Sequence, residues 1–161
     1  MYTKNDTIII PYKSVGIYKI GNNINEYIDY FLKRNVYPEM FISLNNDVMF
    51  QIKIDNLLAI VYNEDDIIIS ITVFKNFDCH YNNIKPLMSI SSIKELRKNK
   101  PIIYFSNMIF FPETFGIALN LPDKYDDVDT LKDIPNDECI TSITISNFDF
   151  IKDIFARHLD L

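Results

Sequence analysis

The chain has 161 residues, of which 48% are hydrophobic, and it carries a formal net charge of −6 at pH 7. This apolar content excludes intrinsic disorder, which requires low hydrophobicity, and the length fits a single domain, residues 1–161, with a sizeable core. The acidic balance argues against a nucleic-acid ligand, because binding to phosphates usually requires a basic face.

Familiar targeting and cofactor signals are missing from the sequence. With only three glycines it contains neither G-x-x-x-x-G-K-[ST] nor G-x-G-x-x-G, so the common nucleotide-binding loops are absent. Residues 1–14 lack the apolar run and cleavage site of a secretory signal, and no run approaches the roughly 18–20 apolar residues of a membrane span. We therefore expect a cytoplasmic protein, in which Cys79 and Cys139 are structural free thiols.

The first half of the chain predicts two short strands, a helix and a three-stranded meander. The runs TIIIPY and VGIYKIG indicate the two short strands. Residues 23–34 have the spacing of one helix face, with Asn23 and Glu26 as a capping box. The apolar residues of that face are Ile24, Tyr27, Ile28, Phe31 and Leu32. The runs VMFQIKI, LLAIVY and IIISITVF predict antiparallel strands, with a two-residue turn at Asp55-Asn56 between the first two.

The second half follows a similar plan. After the irregular segment KNFDCHYNNIKPLM, Ser92 and Glu95 form a capping box that predicts a helix over residues 92–99. The runs PIIYFSN, MIFFPETFGIALNL and CITSITIS predict three or four strands. SNFDFIKDIFARHLDL predicts a terminal helix, whose apolar stripe is Phe148, Ile151, Phe155 and Leu159.

The order of these elements predicts the fold class. A helix followed by about three strands occurs twice, with the two capping residues 69 positions apart, which suggests an internal duplication without sequence identity. No alternation of single strands with helices is present, so a parallel sheet is not expected. The predicted fold is α+β: a mainly antiparallel β-sheet of meander type, with two to three helices packed on it.

The most unusual segment is DKYDDVDTLKDIPNDE, residues 123–138, which holds seven carboxylates and two lysines between two predicted strands. A metal site, a solvated loop and a docking surface for a basic partner would each explain its charge. A calcium loop requires oxygen ligands at fixed positions and a central glycine. The run that begins at Asp127 has Leu131 at the fifth position and no glycine, so a solvated loop and a docking surface remain open.

Catalytic constellations are weak. Cys79 and His80 are neighbours, and neighbours on a strand point to opposite faces, so they do not form a dyad. His158 lies near the end of the predicted terminal helix. The two cysteines and two histidines lack the paired spacings of a zinc site. We therefore expect a protein that is not an enzyme and that binds no metal or cofactor.

Two tyrosines in predicted loops, Tyr81 and Tyr125, are candidates for exposed binding residues. Tyr125 lies inside the acidic segment. Tyrosine among charged residues is typical of protein–protein interfaces, because it adds a large contact area at a low cost in conformational entropy.

Three segments carry a resemblance to a known class of proteins: SVGIYKIGNNINEYIDYF, LLAIVYNEDDIIISITVF and ETFGIALNLP. Their apolar pattern, with Gly16, Gly21 and Gly116, resembles immunity proteins of contact-dependent growth inhibition and related bacterial polymorphic-toxin systems. The similarity covers about half of the chain. It implies a cytosolic, non-enzymatic protein that binds one cognate toxin domain, often a nuclease, and blocks its active site.

Such a partner fits the charge of this chain, because a nuclease holds phosphates in a cationic cleft that an acidic surface complements. The family carries no binding residues over to this sequence, so the expected contacts come from its own acidic segments. They are Tyr125, Asp126, Asp127, Asp129 and Asp133, with Glu64, Asp65 and Asp66 as a second patch. The alternatives are a viral protein that binds a host protein, a small hydrolase with a carboxylate site, and a structural subunit that self-associates through a sheet edge.

Overall fold

The computed structural model describes residues 8–43, 46–98 and 100–147 and shows an α+β fold with mainly antiparallel sheets. The predicted terminal helix and His158 lie outside these ranges. The strands are β1 (Ile9–Ile10), β2 (Ser14–Val15), β3 (Tyr18–Lys19), β4 (Glu39–Ile42), β5 (Val48–Ile54), β6 (Leu58–Asn63), β7 (Ile68–Phe74), β8 (Ile103–Phe105), β9 (Met108–Phe111), β10 (Thr114–Asn120) and β11 (Ser142–Ser146), and the α-helices are α1 (Ile28–Leu32) and α2 (Ile90–Arg97).

Eight strands form one sheet in the order β4-β5-β6-β7-β11-β10-β9-β8, and every neighbouring pair is antiparallel. The sheet consists of two meanders, β4–β7 and β8–β11, that meet through their last strands. Four strands therefore follow each helix, where the sequence predicted about three. The additional strand in the first half is β4, whose four residues are all exposed and so show no alternation for a pattern to detect.

The seam between the two meanders is polar on one face. The hydroxyls of Thr72 and Thr144 are 2.8 Å apart, and the Ser146 hydroxyl donates to that of Ser70 at 3.3 Å. Asn120 on β10 donates to Thr144 and to Ser142. These contacts satisfy polar groups that the sheet would otherwise bury without partners.

The opposite face of the sheet carries the main core. At the end of β5 the side chains alternate between the two faces of the sheet, because Ile52 and Ile54 are buried while Lys53 between them is exposed; nearer its start Met49 is buried too. The loop after β5 has three residues, 55–57, and not two, since Ile54 pairs with Leu58. The fully buried residues of the other long strands that share this core include Ile60, Ile71, Ile117 and Ile143.

The first helical segment is split. A 3₁₀ turn, Ile24–Glu26, precedes α1, and the Asn23 side chain caps it by accepting a hydrogen bond from the Asn25 amide. The Glu26 carboxylate accepts from the side chain of Asn22 and so does not complete a capping box at Asn23. Ile24 and Phe31 are buried as predicted, but Leu32 is 44% exposed. The 3₁₀ turn has three residues per turn, which shifts the later positions off the predicted face.

Helix α2 begins two residues earlier than predicted. Ser89, and not Ser92, is the capping residue, and its hydroxyl accepts a hydrogen bond from the Ser92 amide. The helix buries Ile90 and Ile93 against the core. Within the described ranges, neither α-helix has the length and apolar content needed to cross a membrane.

The last turn of α2 buries a cation. Arg97 is 8% exposed, its guanidinium donates to both carboxylate oxygens of Glu113, and it lies 4.1 Å from the centre of the Phe111 ring. The hydrogen bonds from Arg97 lower the pKa of Glu113 to about 2. This pair attaches α2 to the turn between β9 and β10.

The three-stranded sheet, in the order β1-β2-β3, contributes Ile9, Val15 and Tyr18 to the main core. The ring of Tyr12 lies directly over Gly116, where a Cβ atom would overlap it. Glycine is therefore required at this position by the close approach of another side chain.

Candidate functional site

The acidic segment is an ordered connection between β10 and β11. We call residues 123–138 the acidic connection. It contains two 3₁₀ turns, Asp123–Tyr125 and Leu131–Asp133. The second turn is capped by Thr130, whose hydroxyl accepts from the Lys132 amide and donates to the Asp133 carboxylate at 2.8 Å.

Four apolar residues of the acidic connection pack against the main core. Ile134 is buried, with 3% of its surface exposed, and Tyr125, Val128 and Leu131 are half-buried against the same cluster. They are spaced three residues apart, which suits the period of 3₁₀ turns. We call these four residues the apolar anchors. They fix the backbone of the segment on the core at regular intervals.

The carboxylates lie on the other side of the acidic connection. Six aspartates are exposed: Asp123, Asp126, Asp127, Asp129, Asp133 and Asp137. The seventh acid, Glu138, is different, because its side chain is 19% exposed and forms an ion pair with Lys124 at 2.7 Å. The structure thus divides the segment into an apolar underside and an anionic outer surface.

Tyr125 holds this arrangement together and is half-buried, where the sequence suggested an exposed side chain. Its hydroxyl donates to a Glu138 carboxylate oxygen at 2.6 Å, and its backbone carbonyl accepts from the Tyr104 hydroxyl at 2.8 Å. The hydrogen bond to Glu138 raises the pKa of Tyr125, and hydrogen bonds from Lys124 and Tyr125 lower the pKa of Glu138. Tyr125 is half-buried and joins the two ends of the acidic connection.

The end of the acidic connection also supports helix α2. The amide of Ile90 donates to the carbonyl of Glu138 at 2.9 Å, and that of Ser91 donates to the carbonyl of Asn136 at 2.8 Å. These bonds satisfy amides in the first turn of α2 that have no partner within the helix. The connection is therefore fixed both by apolar contacts and by backbone hydrogen bonds.

The second predicted patch, residues 64–66, forms the tip of the β6–β7 hairpin. We call it the hairpin tip. Glu64 and Asp65 are exposed, whereas Asp66 is half-buried and has a positive φ of 62°. The Asp66 carboxylate accepts from the Asn25 side chain at 2.9 Å, and its carbonyl accepts from the Ile24 amide at 2.8 Å. Asp66 thus fastens the hairpin to the first helical segment.

The two acidic segments are at opposite ends of the strands that bear them. The hairpin tip precedes β7, while the acidic connection leads into β11, whose first residue, Ser142, pairs with Phe74 at the far end of β7. Seven residues of β7 separate the two ends, which is about 20 Å along the strand. The structure does not bring the two predicted patches together.

Cys79 and Tyr81, also considered for a functional role, have structural surroundings. Cys79 is buried, and burial raises the pKa of its thiol to about 12, which suppresses the thiolate. Tyr81, predicted to be exposed, is half-buried and stacks on Phe111. Within residues 8–43, 46–98 and 100–147, no group of three or more histidine, cysteine, aspartate or glutamate side chains is placed to hold a metal ion.

The packing of the apolar anchors and the Tyr125–Glu138 contact were not predicted from the sequence, where the segment was interpreted through its charges and Tyr125 was expected to be exposed. The three-residue spacing of Tyr125, Val128, Leu131 and Ile134 is the signal that would have revealed them. Comparison with known proteins does not add a functional assignment: no protein-family model, curated protein or solved structure matches this chain.

Proposed function

We propose that the chain is an immunity protein, which binds a cognate toxin domain with a cationic active-site cleft, such as a nuclease, and neutralises it by covering that cleft. The observation that carries this proposal is the fixed display of six exposed aspartates on the acidic connection. The protein acts in this proposal by occlusion in the cytoplasm, without catalysis and without a cofactor.

Fixed carboxylates are better suited to inhibition than mobile ones. Binding by a disordered acidic loop would lose affinity to the ordering of its backbone and side chains. The apolar anchors and the Tyr125–Glu138 hydrogen bond have already ordered the acidic connection in the free protein. The partner therefore meets a preorganised anionic surface.

The same surface favours rapid encounter. A nuclease cleft must hold phosphates and is lined by cations, and complementary potentials raise association rates towards roughly 10⁸–10⁹ M⁻¹s⁻¹ at low salt. Rapid association is useful for an inhibitor that must reach its target before the target reaches nucleic acid. Four of the residues expected to make contact face solvent: Asp126, Asp127, Asp129 and Asp133. The fifth, Tyr125, packs on the core and holds the backbone that carries them through its hydrogen bond to Glu138.

The hairpin tip has a secondary role in this proposal. An interface of ordinary size covers about 800 Å² on each partner. Because the two acidic segments are separated along the strands, one toxin domain contacts both only if it lies lengthwise on the sheet. We therefore assign the main contact to the acidic connection and the weaker one to Glu64 and Asp65.

Charge reversal at the two segments separates direct contact from general attraction. The double variant Asp126→Lys, Asp127→Lys and the double variant Glu64→Lys, Asp65→Lys change the net charge by the same amount, and all four side chains are exposed. Affinity and rates are measured by surface plasmon resonance with the toxin domain encoded beside this gene, at low and high salt.

The expected result is a nanomolar complex in which the first variant raises the dissociation constant at least about 100-fold, largely through faster dissociation. The second variant slows association and changes the dissociation constant by less than about 10-fold, because it alters mainly the long-range field. Equal effects of the two variants, or no binding of the unmodified protein to the toxin domain, would overturn the assignment.

A further inference from the structure

The outer edge of the large sheet at β4 is unusually apolar. The side chains of Met40, Phe41 and Ile42 are 67%, 39% and 56% exposed, and Tyr37 just before the strand is 62% exposed. The other edge strand, β8, has only half-buried residues. Natural sheets usually protect an exposed edge with charges or coverage, because an open apolar edge pairs with another strand.

The hydrogen bonds between β4 and β5 show which residues of β4 point their backbone amides and carbonyls away from the sheet. The Ser43 amide donates to the Asp47 carbonyl across the β4–β5 turn at 2.9 Å, so Ser43 faces β5. Because successive residues of a strand point their amides and carbonyls in opposite directions, Phe41 also faces β5, whereas Met40 and Ile42 face outwards. In the part of the chain that the structure describes, β4 pairs only with β5.

We propose that this edge binds a second copy of the chain, with the two β4 strands antiparallel about a two-fold axis at Phe41. In this register Phe41 lies opposite its own copy and Met40 lies opposite Ile42 of the other chain. The outward-facing amides and carbonyls of Met40 and Ile42 then form the hydrogen-bonded pairs. The register keeps each side chain on its own face of a continuous sheet of two copies.

The balanced charge around β4 favours a second copy of the chain as the partner over a strongly charged protein. A chain with a net charge of −6 repels its own copy unless the contact is locally neutral. Around β4 the charged residues are balanced, because Arg34 and Lys53 line the same groove as Glu39 and Asp55. In the proposed register Glu39 lies opposite Ser43, so no like charges face each other across the pair.

The size of the contact sets the expected strength. Taking roughly 200 Å² for each large side chain, the four exposed residues offer on the order of 400 Å² per copy. With the strand backbone added, the total area buried by both copies approaches the lower end of the range for specific interfaces. Complexes with interfaces of this size are usually transient. We expect a reversible dimer with a dissociation constant on the order of 10 µM.

Sedimentation equilibrium over a range of protein concentrations tests this dimer. The variant Ile42→Lys places a charge on the edge, and the matched control Leu87→Lys changes a side chain of nearly equal exposure, 57%, away from β4. We expect the unmodified protein and the control to dimerise alike and Ile42→Lys to raise the dissociation constant at least 10-fold. Circular dichroism confirms that both variants are folded.

Amide exchange locates the contact. At high concentration the amides of Met40 and Ile42 should exchange more slowly than at low concentration, whereas the Phe41 amide, which faces β5, should be protected at both. A protein that stays monomeric up to about 100-fold above the expected dissociation constant overturns the proposal, and so does a dimer that Ile42→Lys leaves unchanged. Dimerisation without the protection pattern at Met40 and Ile42 contradicts the proposed register.

Discussion

The acidic connection and the hairpin tip have similar compositions but are built in different ways. In the connection, the apolar anchors and one acid, Glu138, hold the backbone, so the six aspartates are left to face solvent. In the hairpin tip, an acid itself does the holding, because the Asp66 carboxylate accepts a hydrogen bond from Asn25. A carboxylate that stabilises the fold is less available to a partner, which is why acidic composition alone is a poor guide to a binding surface.

The largest expected effect on stability is at the apolar anchors. Replacing Ile134, which is 3% exposed, by alanine removes buried apolar volume under the connection. We expect the free energy of unfolding to fall by about 2–4 kcal/mol. The control Ile67→Ala removes a half-buried side chain beside the hairpin tip and should cost less than half as much. Urea denaturation measures both, and equal losses would remove the contrast between the two segments.

A smaller effect is expected at Asp66. The variant Asp66→Ala loses the hydrogen bond to Asn25. It also places alanine at a φ of 62°, a left-handed backbone conformation that costs conformational free energy for residues with a Cβ atom. The expected loss is about 1–2 kcal/mol of unfolding free energy. Asp66→Gly keeps the backbone freedom and should lose less, while Asp65→Ala should change little. If Asp65→Ala is the more damaging variant in thermal unfolding, the assigned role of Asp66 is wrong.

A pH-dependent effect is expected at Tyr125. In the folded protein Lys124 and Tyr125 lower the pKa of Glu138 below its ordinary value of 4.5, so the charged Glu138 contributes stability above that value. The contribution is lost as the pH falls through the lowered pKa of Glu138. The melting temperature of Tyr125→Phe should therefore lie below that of the unmodified protein at neutral pH, and the gap should narrow in acid. A gap of constant size from pH 7 to pH 3 would contradict this role for the hydroxyl.

The smallest effect on stability is expected at the exposed aspartates. Asp127→Asn should change the free energy of unfolding by no more than about 0.5 kcal/mol, since the side chain is exposed and the change lowers repulsion among neighbouring acids. The same substitution should weaken toxin binding. Chemical denaturation and binding kinetics on one sample compare the two quantities, and a large loss of stability would show that the aspartate is structural.

Local patterns predicted much of the fold. The run VMFQIKI predicted β5, in which Ile52 and Ile54 are buried and Lys53 is exposed, as a strand with one buried face requires. The cap at Asn23 was found because its side chain serves the turn directly after it. The second cap was placed at Ser92 from its spacing to Glu95, but the helix begins earlier, with Ser89 as its cap, and so buries Ile90.

Longer-range features could not be predicted in the same way. The order of strands in the sheet depends on β7 pairing with β11, and no local pattern records that pairing. The strand β4 was missed because an exposed edge has no hydrophobic period. In the candidate site, the charges of the acidic connection were visible from the sequence, but the roles of Tyr125 and Glu138 depend on contacts between residues 13 positions apart.

The seam between β7 and β11 has a consequence for synthesis on the ribosome. Its side-chain contacts join residues 72 and 76 positions apart, so β7 emerges long before the strand that covers its edge. Chains are made at about 5–20 residues per second, which leaves the edge open for several seconds. Ser70 and Thr72 make one face of this temporarily uncovered strand polar. The hydroxyls that later join the two halves of the sheet thus also make the nascent chain a poorer template for aggregation.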